Sequence, residues 1–178
     1  MYRRAFTLLE LMLTISLVVM LCTLALPSFF TSNQSLLLQE LEKLEVTIRY
    51  LQQRALATQQ THELVFDTAA NTYSYTINGK TVSHPLHKNL TFGALPGAHG
   101  PPGNPTTPIT QALTLPTSKT SNNCFSCKIY SDWKLSPGAI YIMDRQKTTG
   151  GALTCAVSEV SYIRRYQYTS HQWILVSA

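Results

Sequence analysis

Length and charge limit the classes of protein to which this chain can belong. It has 178 residues, of which 14 are Lys or Arg and 9 are Asp or Glu, and its net charge is +5. The positive charges stand singly or in pairs rather than in a block, so no specific nucleic acid is expected as a partner. Without its apolar N-terminal stretch the chain keeps about 145 residues, enough for one compact domain and not comfortably for two.

The N-terminal stretch combines a short basic start with a long apolar run. Two arginines, Arg3 and Arg4, precede the segment Leu11–Phe30, which contains no charged residue and is long enough as a helix to cross a bilayer. Glu10 stands at the entrance to this run, where a carboxylate is expensive, about 2.5–3.5 kcal/mol at the bilayer centre. A cleavable secretory signal or a plain membrane anchor explains the apolar run, but neither explains the carboxylate.

Three N-terminal features occur together: Arg3-Arg4-Ala5, then Phe6-Thr7-Leu8-Leu9-Glu10, then an apolar run interrupted by Pro27. Together they resemble the class III signal of type IV pilins and type II secretion pseudopilins. The resemblance implies that a prepilin peptidase cleaves between Ala5 and Phe6 and N-methylates Phe6. It also implies that Glu10 is the assembly contact and that Pro27 kinks the helix. Ala5 replaces the Gly that the family nearly always has before the cut, and cleavage is still expected because both residues are small.

A one-sided apolar pattern begins at Leu36. Its apolar positions recur at alternating steps of four and three, the spacing of one helix face. These positions are Leu37, Leu41, Leu44, Ile48, Leu51 and Ala55. Charged and amide residues occupy the other faces, and Glu45 precedes Arg49 at the favourable spacing for an ion pair. Since neither Gly nor Pro lies between Pro27 and Thr58, the pattern predicts one long helix whose apolar stripe packs on the domain that follows.

After Thr61 the period of the apolar residues changes from helical to alternating, which indicates strands. The predicted strands are His62–Phe66, Thr72–Ile77, Asn89–Phe92, Ile109–Leu115, Ala139–Met143, Ala152–Val157, Val160–Tyr168 and Gln172–Val176. Asn78-Gly79 predicts a tight hairpin turn, and Leu135-Ser136-Pro137-Gly138 predicts another turn. The Pro- and Gly-rich run Pro96–Pro105 predicts a loop, either facing a partner or forming plain surface.

These elements predict an α+β fold of the pilin-like type. A long N-terminal spine helix, transmembrane in its first half and amphipathic in its second, would pack on an antiparallel β-sheet domain. The expected boundaries are a cleaved basic leader at 1–5, a transmembrane and assembly helix at 6–30, an amphipathic continuation at 31–60 and a periplasmic β-rich domain at 61–178.

Three of the four cysteines stand in the C-terminal part of the chain. Cys124-Phe125-Ser126-Cys127 forms a C-x-x-C pattern, and Cys155 follows later, whereas Cys22 lies in the apolar run and behaves as an apolar residue. A thioredoxin-type redox motif needs a βαβ context that the pattern lacks. A zinc site needs a fourth ligand, and the histidines show no second motif at metal spacing, so no metal is expected. The favoured interpretation is a structural disulfide, with Cys124, Cys127 and Cys155 as candidates and the pairing open.

No catalytic motif is present. The sequence contains no G-x-S-x-G, no Gly-rich phosphate loop and no H-E-x-x-H. Asp132 and Asp144 are isolated carboxylates, which are usually solvated surface. We therefore expect neither enzyme activity nor a cofactor.

The layout of a spine helix followed only by strands resembles the H-type minor pseudopilin and FimT-like branch of the family. The resemblance implies a minor pseudopilin of a type II secretion system. Its partners would be the prepilin peptidase, other pilins or pseudopilins of the same filament, and the inner-membrane assembly platform. The chain would cross the bacterial inner membrane once, with its N-terminus cytoplasmic and its globular domain periplasmic, before entering the filament. One alternative is a minor pilin of a type IV pilus or DNA-uptake system, and another is a membrane-anchored periplasmic binding domain that does not polymerise.

Overall fold

Two helices and nine strands are the regular elements of the described residues. The computed structural model describes residues 7–29, 33–100, 106–117, 123–157, 160–169 and 171–177. Helix α1 spans Leu8–Phe29 and helix α2 spans Asn33–Thr58. The strands are β1 His62–Asp67, β2 Thr72–Ile77, β3 Lys80–Pro85, β4 Leu90–Phe92, β5 Cys124–Ile129, β6 Gly138–Asp144, β7 Gly150–Val157, β8 Val160–Thr169 and β9 Gln172–Ser177.

The prediction of one long spine helix is wrong. The structure has two helices, and they belong to separate compact units, Met1–Ser32 and Asn33–Ala178. The residues between the two helices, Phe30-Thr31-Ser32, lie outside the described residues.

Helix α2 presents the predicted apolar stripe to the β-strands. All six predicted positions, from Leu37 to Ala55, are fully buried, and the helix packs against strands of both sheets. The predicted ion pair between Glu45 and Arg49 is formed at 2.8 Å. The polar faces are less exposed than predicted, because Glu40, Glu45 and Gln52 are also buried.

The strands form two antiparallel sheets, as the α+β prediction requires. One sheet has four strands in the order β3-β2-β1-β5, and the other has five in the order β4-β6-β7-β8-β9. Asn78 and Gly79 have φ angles of 51° and 74°, which is the conformation of the hairpin turn that their sequence predicts.

Most predicted strands are confirmed within a few residues, but three parts of the β-domain differ. Strand β3, Lys80–Pro85, is not among the predicted strands and pairs with β2. The segment predicted as a strand at Ile109–Leu115 makes only an isolated bridge, between Leu113 and Ile140. Conversely, the segment predicted as a disulfide-bonded loop is strand β5, which pairs with β1 over six residues, from His62↔Ile129 to Asp67↔Cys124. A strand whose partner lies far away in sequence gives no local turn signal, so the sequence pattern does not predict this pairing.

The hydrophobic core lies between α2 and the two sheets. It unites the stripe of α2 with residues from both sheets, such as Leu64, Phe66, Ile140 and Ile142. A smaller cluster covers the opposite face of the five-stranded sheet and centres on Tyr141. Every residue of both clusters belongs to the unit Asn33–Ala178. This unit therefore carries its own core, and we expect it to fold without the residues that precede it.

Candidate functional site

Thr7 immediately precedes helix α1 and caps its first turn. The backbone N–H of Glu10 donates to Oγ1 of Thr7 at 3.3 Å, and that of Leu11 donates to the carbonyl oxygen of Thr7 at 3.2 Å. Thr7 and Glu10 have the Thr-x-x-Glu spacing of a capping box, in which two helix-terminal N–H groups find side-chain acceptors. The sequence that resembles a processing signal thus also fixes where the helix starts.

Glu10 is the only charged residue in α1. It lies in the first turn, where the carboxylate is favoured by the positive end of the helix dipole, and its side chain is exposed. Between Thr7 and Leu21 the remaining polar side chains are Thr14 and Ser16, which donate to carbonyl oxygens of their own helix at 2.8 and 2.9 Å. The carboxylate of Glu10 is therefore the group on this surface that a positively charged partner would bind.

The described surface of α1 is apolar on every side. Its large apolar side chains are each between 54% and 77% exposed. They are Leu8, Leu9, Leu11, Met12, Leu13, Ile15, Leu17, Val18, Val19, Met20 and Leu21. An ordinary amphipathic helix keeps one polar face, whereas a helix that is apolar all round belongs in apolar surroundings. This surface, together with Glu10, is the candidate functional site.

The other N-terminal residues singled out by sequence are only partly described. Ala5 and Phe6, the predicted cleavage site, lie outside the described residues. Pro27 falls in the last turn of α1, and the kink predicted there stays a prediction. Among the residues that the structure describes, no helix is long and apolar enough to span a membrane. The transmembrane segment predicted at 6–30 begins and ends outside the described residues and stays a prediction.

The predicted disulfide is not formed in the structure, where Cys124, Cys127 and Cys155 are all free. Cys124 and Cys127 lie on the same strand, where residues three apart are separated by about 10 Å and point to opposite faces. A disulfide requires Cα atoms within about 7 Å, so the C-x-x-C pattern cannot close. Cys155 lies on β7, in the other sheet, and is buried in the same core as Cys127. Its hydrogen bond with Cys127, together with burial, raises the pKa of the Cys155 thiol well above its ordinary value.

Buried charges join α2 to the five-stranded sheet. The carboxylate of Glu45 lies 2.8 Å from Arg49 of the same helix and 2.7 Å from Nε of Arg165 on β8. The N–H bond at this Nε does not point at an acceptor, so Nε makes no hydrogen bond. The contact between Arg165 and Glu45 is therefore an ion pair without an aligned hydrogen bond. Removing one member of such a buried pair is costly because it strands the other charge. We assign this cluster to holding α2 against the sheet.

Asp144 is a second buried polar group, and the prediction of a solvated carboxylate is wrong for it. Its Oδ1 accepts from the backbone N–H groups of Thr148 and Thr149 at 2.7 and 2.8 Å. Its Oδ2 accepts from the Thr148 hydroxyl at 2.7 Å and from the Asn33 side chain at 3.3 Å. Burial acts to raise the pKa of Asp144, but these hydrogen bonds outweigh it and hold the pKa below its ordinary value. Asp144 thus joins the β6–β7 hairpin to the first residue of α2.

The described part of the Pro- and Gly-rich run, residues 96–100, lies beside strand β9. Leu95 and Ala98 are buried, and the carbonyl oxygen of His99 accepts from Nε1 of Trp173 at 3.0 Å. The described part of the run is therefore docked onto β9. Among the described residues no group of His, Cys, Asp or Glu side chains is placed to hold a metal ion.

Comparison with known proteins adds one similarity. No family model matches the sequence, and no curated protein matches it. Among solved structures, the chain is similar to the minor pseudopilin EpsH from the type 2 secretion system of Vibrio cholerae, with a TM-score of 0.48 and 8% sequence identity. The match covers 71% of this chain and 94% of that one. A similarity of this degree does not establish a common function.

Proposed function

We propose that this chain is an assembly subunit of the pilin and pseudopilin type, whose α1 packs against the corresponding helices of neighbouring subunits. The observation that carries the proposal is the apolar surface of α1 with Glu10 as its single charge. Burying one Leu, Ile, Val or Met side chain is worth about 1.5–3 kcal/mol. For eleven such side chains, each more than half exposed, removal from water into the membrane or into a bundle of helices is worth at least as much as the whole folding stability of a domain, about 5–15 kcal/mol.

Glu10 gives this association its register. Cleavage between Ala5 and Phe6 would create a new amine at Phe6, and methylation would keep that amine basic. A carboxylate and an ammonium about 4 Å apart attract by about 4 kcal/mol at an effective dielectric constant of 20. Since an unpaired carboxylate inside a helix bundle is strongly disfavoured, pairing Glu10 of one subunit with the Phe6 amine of the next selects one axial position.

Within this class the proposal is a minor pseudopilin of a type II secretion system. The layout supports it: among the described residues a one-sided helix, α2, is followed only by antiparallel strands. The prepilin peptidase, the other pseudopilins and the inner-membrane platform are the proposed partners, and the inner membrane followed by the periplasmic filament is the proposed location. Deleting the gene should then abolish protein secretion and leave twitching and DNA uptake intact. The reverse result would assign the chain to a type IV pilus or a DNA-uptake system.

The experiment that tests the assembly mechanism compares Glu10→Gln with Glu63→Gln. Glu63 is an exposed carboxylate on β1, so both variants lose one exposed negative charge, but only the first loses it from α1. We expect Glu10→Gln to be processed normally, because the peptidase reads the residues around Ala5. The variant should lose crosslinking to partner pilins, and with it secretion, because the carboxylate that pairs with the neighbouring amine is gone. Glu63→Gln should behave as the parent. Glu10→Asp should be intermediate, since the charge is kept on a shorter side chain.

Processing is followed in the same samples by intact mass of the membrane-extracted protein. Loss of residues 1–5 with the gain of one methyl group is the expected result. If Glu10→Gln assembles as well as the parent, the carboxylate is not the assembly contact. An unprocessed chain that never crosslinks to pilins would instead indicate an anchored, non-polymerising periplasmic domain.

A further inference from the structure

Two buried thiols, those of Cys127 and Cys155, lie together although their strands belong to different sheets. Cys127 is on β5 of the four-stranded sheet, and Cys155 is on β7 of the five-stranded sheet. Both side chains are 0% exposed and belong to the core cluster that contains the apolar stripe of α2. The two thiols share a hydrogen bond, so their sulfur atoms are in direct contact.

The backbone between the two cysteines explains why they meet. Ser136, in the connection from β5 to β6, makes two hydrogen bonds with Lys128, the residue that follows Cys127. Its N–H donates to the carbonyl oxygen of Lys128 at 2.9 Å, and its Oγ accepts from the N–H of Lys128 at 3.1 Å. Gly138, two residues further on, is the register partner of Cys155. The connection therefore runs from the neighbour of one cysteine to the partner of the other and brings β5 and β7 together at this point.

Cys124 does not take part in this contact, although it lies on the same strand as Cys127. Its side chain is only partly buried, and residues three apart on a strand point to opposite faces. The face of β5 that carries Cys127 and Ile129 belongs to the core. Cys127 is therefore the thiol of β5 that faces Cys155.

We propose that Cys127 and Cys155 form a disulfide that joins the two sheets when the protein folds in an oxidising compartment. The structure describes the reduced state of this pair. In the reaction one S–S bond forms between the two sulfur atoms and both S–H bonds break. Two electrons and two protons pass to a disulfide-bearing oxidant, a thiol–disulfide oxidoreductase or oxidised glutathione, whose own S–S bond is reduced to two thiols. The choice of compartment rests on the proposed function, since disulfides persist in the periplasm, whereas the choice of partners rests on the contact between the two thiols.

Burial decides when the bond forms and how it behaves afterwards. The thiolate is the nucleophile of disulfide exchange, and the hydrogen bond with Cys127 together with burial raises the pKa of the Cys155 thiol. The folded dithiol is therefore a slow reactant, and we place closure during folding, before the core excludes the oxidant. Once formed, the buried bond resists reductants that act on the folded chain. It also closes the loop 127–155, which restricts the unfolded chain and so stabilises the folded one.

Peptide mapping of the full-length chain tests the bond directly. The detergent-solubilised chain is reduced, unfolded and refolded with oxidised and reduced glutathione, and the remaining thiols are then alkylated. Trypsin cuts after Lys128 and chymotrypsin after Phe125, so Cys124 and Cys127 fall on different peptides. We expect the peptide of Cys127 to be linked to that of Cys155, and Cys124 to be alkylated. Alkylation of both Cys127 and Cys155, or a bond from either of them to Cys124, overturns the proposal.

Urea unfolding of single variants tests the consequence for stability, with the fluorescence of Trp133 and Trp173 as the signal. The oxidised parent should unfold at a midpoint about 1–2 M above that of the reduced parent, as expected for a loop of this length. Cys124→Ala is the matched control and should keep this difference. Cys127→Ala and Cys155→Ala should lose it, because neither can form the bond. Equal midpoints for the oxidised and reduced parent, or a difference that persists in Cys155→Ala, would refute the proposal.

The two experiments are independent of each other and of assembly. Peptide mapping uses the parent chain, so it stands even where a buried alanine substitution prevents folding. Neither measurement needs a filament or a secretion assay. A failed disulfide therefore leaves the proposed assembly function intact, and a chain that does not assemble still reports on the disulfide.

Discussion

Replacing Asp144 should destabilise the β-domain more than replacing any exposed carboxylate. Asp144 is fully buried and accepts hydrogen bonds from Thr148, Thr149 and Asn33. A hydrogen bond to a charged group contributes about 1.5–3 kcal/mol. Thr148 is exposed, so in the variant its N–H and hydroxyl groups can bond to water instead. The loss of stability is therefore smaller than the sum of the individual hydrogen bonds. We expect Asp144→Ala to lower the free energy of unfolding by about 2–4 kcal/mol, and Asp144→Asn by about 1 kcal/mol, since the amide keeps one acceptor oxygen.

The assay is urea unfolding of the unit Asn33–Ala178, followed by tryptophan fluorescence and circular dichroism. With a slope of about 2 kcal/mol per molar urea, the midpoint of Asp144→Ala should fall by about 1–2 M. Asp132→Ala is the matched control. Asp132 is exposed and pairs with Lys134 at 3.2 Å, with both side chains more than half exposed, so its midpoint should not change measurably.

The effect should also depend on pH. The hydrogen bonds hold the folded-state pKa of Asp144 below its ordinary value, whereas the unfolded value is about 3.9. The stability that ionised Asp144 contributes is therefore present above about pH 4 and is lost as the pH falls through the folded-state pKa. The difference between the parent and Asp144→Asn should thus be smaller at about pH 3 than at pH 7. An unchanged difference, or an Asp144→Ala midpoint equal to that of Asp132→Ala, would refute this account.

The remaining predictions concern buried groups of the core. The Tyr141 hydroxyl is buried, has no hydrogen-bond partner in the described structure, and has its pKa raised by burial to about 12. Tyr141→Phe should therefore leave the free energy of unfolding unchanged or raise it by up to about 1 kcal/mol. A clear loss of stability in urea unfolding would instead mean that the hydroxyl has a hydrogen-bond partner. In the unit Asn33–Ala178, Cys124 should react first with a thiol reagent, and Cys127 and Cys155 only after unfolding, because both are buried and the Cys155 pKa is raised. For the unit kept under reductant until the assay, fewer than three reactive thiols in denaturant would contradict the finding that Cys124, Cys127 and Cys155 are all free.

Patterns within one element are predicted well from the sequence. The apolar stripe from Leu37 to Ala55 is buried at every predicted position, because the helix period alone determines which side chains share a face. The Asn78-Gly79 turn follows from the residues that tolerate positive φ angles. The uncharged run after Glu10 likewise determines the character of α1, since an all-round apolar surface depends only on the composition of the helix.

Features that depend on distant partners are decided only by the tertiary structure. Strand β5 exists because β1 accepts it as a neighbour, and this pairing places Cys124 and Cys127 on opposite faces, where they cannot bond. Asp144 is buried because the first residue of α2 and the β6–β7 hairpin meet around it. Strand β9 is predicted from its sequence, but its position at the edge of the five-stranded sheet follows from the sheet order. A local pattern specifies the conformation of a segment, whereas burial, pairing and exposure depend on what the rest of the chain places beside it.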